Sequence, residues 1–215
     1  MMNKYSQQQN VVLLHRILSI YEQIIEDEVS TVGDVSEPIV VMGVCGSYDL
    51  DSANGRMLEI ILEECGELGA ETVIWDHGSK PLPLVGAEGS WDDENVKGFQ
   101  EMAVSADAFV LSSPEYHGTM SGVMKNSLDW LYSKHTSGKV FGLICTLGGQ
   151  SSNNTLNHMR IAARWIHGWV TPEQIAIPNI KEAFDDDGFL VNDEINSRVR
   201  ALASSIVENT IKLRR

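Results

Sequence analysis

The chain has 215 residues, enough for one large domain with a sizeable core that needs no disulfides. Thirty Asp and Glu against sixteen Lys and Arg give a net charge of −14, which opposes nucleic acid and anionic lipid surfaces. The longest apolar run, residues 39–45, falls far short of the roughly 18 residues of a membrane span, so the expectation is no nucleic acid and no membrane. The amino terminus does not read as a signal peptide, because its apolar stretch is broken by His15 and Arg16. Cys45, Cys65 and Cys145 lack CxxC spacing, and His15, His77, His135, His158 and His167 lack ligand spacing, which points to reduced thiols in a cytoplasmic protein and no metal site.

Residues 10–29 place Val11, Leu14, Ile17, Leu18, Tyr21, Ile24 and Ile25 at three- and four-residue spacing. That pattern predicts an amphipathic helix in an extension over residues 1–36, ahead of a domain over residues 37–215. After Pro38, Ile39-Val40-Val41-Met42-Gly43-Val44-Cys45 reads as a strand covered on both faces. A polar turn at 46–51 leads to Ser52 as N-cap, then a helix with Leu58, Ile61, Leu62, Cys65 and Leu68 inward, stopped at Gly69. Residues 71–76 read as a second strand. The segment 77–90 is too long for an ordinary connection and is expected to serve a function or an interface. A helix over about 92–106, a strand at 108–112, a loop at 113–120, a helix over 121–130 and a strand at 140–145 follow. Thr146-Leu147-Gly148-Gly149 closes that strand. A helix over about 155–167, a short strand near 174–177 and a last helix from Asp193 complete the chain. Alternating strands and helices imply an α/β, doubly wound parallel sheet with right-handed crossovers.

In such a sheet, ligands bind beyond the carboxyl ends of the strands. The loop after the first strand offers a glycine, hydroxyls, an amide and a helix N-terminus able to hold a phosphate. The loop after the third presents Pro114-Glu115-Tyr116-His117-Gly118-Thr119, and the loop after the fourth has Gly148-Gly149 followed by Gln150, Ser151 and Ser152, bare backbone for a flat ligand. No P-loop, no G-x-S-x-G elbow and no G-x-G-x-x-G after a strand is present.

The stretch Ser113-Pro114-Glu115-Tyr116-His117-Gly118-Thr119-Met120-Ser121-Gly122-Val123-Met124-Lys125-Asn126-Ser127-Leu128-Asp129-Trp130 closely resembles a motif of the NADPH-dependent FMN reductase family, S-P-E-Y-N-G-S-x-P-G-x-L-K-N-A-L-D-W. The resemblance covers about residues 39–180 and extends to Lys80-Pro81-Leu82-Pro83-Leu84. It implies a flavodoxin-like five-stranded sheet in the order 2-1-3-4-5 and an enzyme taking hydride from NAD(P)H onto bound FMN. The acceptors it implies are small molecules: flavin, quinone, azo compound or metal oxyanion. By the same resemblance Ser47, Ser52 and Asn54 surround the FMN phosphate. Pro114, Glu115, Tyr116, His117 and Gly118 line the isoalloxazine and ribityl region, and Thr146, Gly148 and Gly149 complete the site. No catalytic side chain is named, since nicotinamide can stack on the flavin and transfer hydride directly. Homodimers or homotetramers are expected from the family alone.

Two positions depart from the family pattern. Asp49 stands where an Arg is common, with Asp51 nearby, and a carboxylate 4 Å from a phosphate charge costs about 1 kcal/mol in water and more when partly desolvated. His117 replaces the usual Asn and can titrate near neutral pH. The alternative that Asp49 keeps open is a non-enzymatic electron carrier or a cofactor-free binding module.

Overall fold

In the computed structural model, which describes residues 37–149 and 154–214, six strands form along the chain. They are β1 (Val40–Cys45), β2 (Glu71–Trp75), β3 (Ala108–Tyr116), β4 (Thr119–Met120), β5 (Val140–Thr146) and β6 (Trp169–Ile177). The helices are α1 (Ala53–Glu67), α2 (Glu94–Ser105), α3 (Gly122–Asp129), α4 (Ser133–Thr136), α5 (Asn154–Trp165) and α6 (Asp193–Leu213). The helix expected at 10–29 lies outside the described residues.

β1 and β5 are β-branched, apolar runs with almost every residue buried, as a parallel sheet covered on both faces requires. The five long strands pair in parallel in the order β2-β1-β3-β5-β6, which is 2-1-3-4-5 counted among themselves. One face buries Val44, Phe109, Leu111 and Leu143 against α2, α3 and α5, and the other buries Val41, Val110, Ile144 and Ile175 against α1 and α6. Phe109 and Phe141 stack with ring centres 4.6 Å apart, a pairing worth about 0.5–1.5 kcal/mol beyond burial. The helix starts follow from side-chain oxygens that take first-turn N–H groups: Ser52 for α1, Asp93 for α2, Ser121 for α3 and Asn192 for α6.

Two elements differ from the sequence expectation. The segment 113–120 is a hairpin: β3 runs on to Tyr116, turns at His117 and Gly118, and returns antiparallel as β4. β6 is nine residues long instead of four, with an irregular register around Thr171-Pro172-Glu173, where an edge strand tolerates proline. Trp165 and Trp169, whose sequence context suits either core or interface, are 84% and 62% exposed.

Candidate functional site

The parallel strands all end at one edge, where the loops after β1, β3 and β5 meet. At the first, the Gly46 N–H donates to the Ser112 carbonyl (2.7 Å), and the Gly46 carbonyl accepts from Ser121 Oγ (2.7 Å). Ser47 Oγ accepts the Asp49 N–H, Asp49 Oδ1 accepts the Asp51 N–H, and the Asp49 carbonyl accepts the Ser52 N–H. Ser52 Oγ then accepts the Gly55 N–H at 3.3 Å, setting the start of α1. Gly55 lies so close under the loop that a Cβ would sit 1.9 Å from the Leu50 carbonyl oxygen. The first-turn N–H groups of Ala53 and Asn54, next to the Ser52 cap, are left without intrahelical partners.

Asn54 and Thr146 are placed together, but beneath the edge. Both are buried, Thr146 Oγ1 donates to Asn54 Oδ1 (2.9 Å), and the Asn54 carbonyl accepts from Ser112 Oγ (2.9 Å). The side-chain bond holds the first turn of α1 to β5, and the Ser112 hydroxyl on the Asn54 carbonyl holds it to β3.

The second wall is the hairpin. His117 (φ 52°) and Gly118 (φ 79°) both lie in the left-handed region, the conformation of a two-residue type I′ turn. Tyr116 and His117 are exposed, while Pro114 is buried and paired in register with Thr146. The Glu115 carboxylate turns away from this tip: Oε2 accepts from the N–H (3.3 Å) and Oγ1 (3.0 Å) of Thr155. The third wall is the exposed backbone of Gly148 and Gly149, anchored where the Leu147 N–H donates to Ile177 and the Asn179 N–H to Gly149. Gln150, Ser151 and Ser152 lie outside the described residues.

Several residues that organise this edge carry no chemical signature in sequence. Ser113 Oγ accepts the Ser121 N–H, and Ser121 caps α3 while tying it to Gly46. His77 is buried with its ring edge-on to Tyr48, centres 6.0 Å apart, and Nε2 3.1 Å from Ser127 Oγ. Because the Ser127 hydroxyl donates to the Val123 carbonyl, His77 Nε2–H is the donor in this pair. Burial lowers the His77 pKa to about 4, a little offset by Asp76. The segment 77–90 is tacked down through its carbonyls: Asn126 donates to Leu82 and Pro83, and the Trp130 indole to Pro83. Burial also pushes the Cys145 thiol up to about 12 and raises that of Cys45, so neither is a nucleophile. Among the described residues no cluster of His, Cys, Asp or Glu could hold a metal ion.

An open helical turn with two hydroxyls suits a phosphate, and a hairpin facing bare glycine backbone suits a planar ring. The donor set thus fits FMN, with the exposed Asp49 and Asp51 carboxylates as the unfavourable feature. Residues 39–182 match the family model described as NADPH-dependent FMN reductase. The chain belongs to the NADPH-dependent FMN reductase family. An FMN-dependent NADPH-azoreductase of Staphylococcus aureus (strain USA300) is 33% identical over 171 residues, covering 76% of this chain and 91% of that protein. Two solved structures share the fold at a TM-score of 0.67, each alignment covering 81% of this chain and 98% of the other. They are the flavoenzyme NAD(P)H:(acceptor) oxidoreductase FerB of Paracoccus denitrificans, 22% identical, and an oxidoreductase of Corynebacterium diphtheriae, 14% identical. The protein is accordingly a flavin-dependent oxidoreductase that uses FMN with NAD(P)H as co-substrate and acts on small-molecule acceptors. Among the described residues no helix is long and apolar enough to cross a membrane.

Proposed function

We propose that this FMN reductase family member holds the FMN phosphate at Ser47, Ser52 and the N–H groups of Ala53 and Asn54, with the ring between the hairpin 114–118 and Gly148-Gly149. Bound there, FMN would supply hydride transfer from NAD(P)H to an azo compound, quinone, free flavin or metal oxyanion. The chain's own part is to bind, orient and keep one ring face open. Backbone donors near the ring's polar edge favour the anionic reduced flavin, and the buried Asn54–Thr146 and Ser121–Gly46 bonds fix the loops that carry them. The observation that carries the reading is the convergence on one edge of a helix-capped loop, a left-handed hairpin tip and an exposed glycine pair.

Three features extend the proposal. Assembly as a homodimer or homotetramer is supported by an exposed apolar groove of about 490 Å3 between α3 and α5, rimmed by Ile161 and Trp165. A cytoplasmic location is supported by three buried, unpaired thiols. The domain that carries the chemistry is residues 37–215, with 1–36 as an extension.

The test is purification, a visible spectrum with and without added FMN, and NADPH and NADH oxidation with an azo dye and with a quinone. Flavin-dependent turnover of either acceptor is the expected result. Protein that takes up FMN but oxidises neither nucleotide would be an electron carrier, and protein that takes up none would be a binding module; either outcome refutes the proposal.

A further inference from the structure

Resting on that placement of the flavin ring, we propose that Glu115 is a positioning residue that locks the hairpin, one wall of the ring site, to the head of α5. Its carboxylate spans from the end of β3 to Thr155, the second residue of α5, and accepts both the backbone N–H and the hydroxyl there. A first-turn N–H has no partner within its own helix, and an anion at a helix N-terminus is favoured by the aligned peptide dipoles. Glu115 supplies both from a different segment, 40 residues away in sequence. The head of α5 directly follows the loop that begins at Gly148-Gly149. Leu147 and Gly149 are tied by the Leu147–Ile177 and Asn179–Gly149 bonds, and Glu115 holds Thr155 at the head of α5.

A second stitch lies one turn along: Thr119 Oγ1 is 2.8 Å from His158 Nδ1. At the first residue of α5, Asn154 Nδ2 is 3.8 Å from where a Cβ on residue 118 would be. Glu115 is the charged member of this seam, and its carboxylate is turned to the helix. Its effect on the ligand is therefore exerted through the backbone of the hairpin.

A residue that encloses the ring acts equally on FMN and riboflavin, whereas one that serves the phosphate acts on FMN alone. Apo-protein is titrated with each flavin, following quenching of flavin fluorescence, for wild type, E115A, E115Q, T155V and E115A/T155V, with thermal unfolding recorded alongside. E115A is expected to weaken FMN and riboflavin by the same factor, about tenfold, as loss of a charge-assisted pair implies. E115Q retains an acceptor and should recover to within about threefold of wild type, and T155V, which keeps the N–H, should fall between them. The double variant should be no weaker than E115A, because both substitutions break one contact. Unchanged riboflavin affinity in E115A, or additive losses in the double variant, would overturn the proposal. Should E115A fail to fold, E115Q and T155V decide: a T155V protein with wild-type affinity for both flavins overturns it equally. Wild type that binds neither flavin brings down the flavin reading itself, an outcome distinct from normal binding with insensitive variants.

Discussion

Gly55→Ala sets helix propensity against packing, and the two forecast opposite signs. Ala in a helix is favoured over Gly by about 1 kcal/mol. At this position, however, a Cβ would lie 1.9 Å from the Leu50 oxygen, 2.5 Å from its carbonyl carbon and 2.7 Å from its Cα. Ordinary contact begins near 3.5 Å, so Leu50 would have to retreat by about 1.5 Å, and every atom in the way is backbone. The bonds on either side, Ser52 N–H to the Asp49 carbonyl and Asp51 N–H to Asp49 Oδ1, would be strained or lost. Overpacking of this kind costs about 1–3 kcal/mol. Gly66 in the same helix is the control, since nothing lies within 4 Å of its Cβ position. Gly66→Ala should raise the melting temperature by roughly 2–4 °C, the response to about 1 kcal/mol in a chain of this size. Gly55→Ala should lower it by a similar amount or more, and should weaken FMN more than riboflavin because the displaced loop is the one proposed to hold the phosphate. A Gly55→Ala protein that melts higher than wild type and binds FMN unchanged would refute the reasoning.

Three further outcomes are expected. Asp49→Asn keeps an acceptor for the Asp51 N–H while removing the charge, so FMN should bind about fivefold more tightly with riboflavin unaltered; equal changes in both flavins would contradict phosphate repulsion. His77 stays neutral in the folded protein down to about pH 4, whereas its unfolded form titrates near pH 6.5. The unfolded state therefore takes up the extra proton as pH falls through that window, and stability declines from pH 6.5 toward 4 by up to about 3 kcal/mol. Denaturant midpoints of wild type and His77→Gln should diverge at neutral pH and converge toward pH 4; parallel curves would exclude the effect. Cys65 and Cys145 are buried, with thiols pushed up to about 12, so native protein should resist iodoacetamide at pH 8 and react once unfolded.

Much of the fold was legible because β1, β5 and the first half of β3 are continuous apolar runs, and because Ser52, Pro38 and Gly69 punctuate the chain where they stand. The hairpin was not. Pro114, Glu115 and Gly118 have the composition of a loop, and what makes 113–120 a ribbon is pairing with β5 on one side and β4 on the other. Thr171-Pro172-Glu173 likewise hid most of β6. At the site, hydroxyls at a helix start could be read locally. The Asn54–Thr146 bond, 92 residues apart, and the Ser121–Gly46 bond, 75 apart, could not, since a buried hydroxyl declares its partner only once the chain has folded.

The left-handed tip of the hairpin restricts the vocabulary of substituents that can face the site. A backbone held at positive φ readily admits Asn, Asp, His and Gly, and penalises β-branched and bulky residues. His117, where the family commonly has Asn, stays within that set. Exchanges at this position can thus swap imidazole, amide, carboxylate or nothing at the rim of the proposed flavin site while the ribbon beneath keeps its register. An aliphatic group there would have to refold the turn, so the chemistry presented at the tip is free to drift only among four short words.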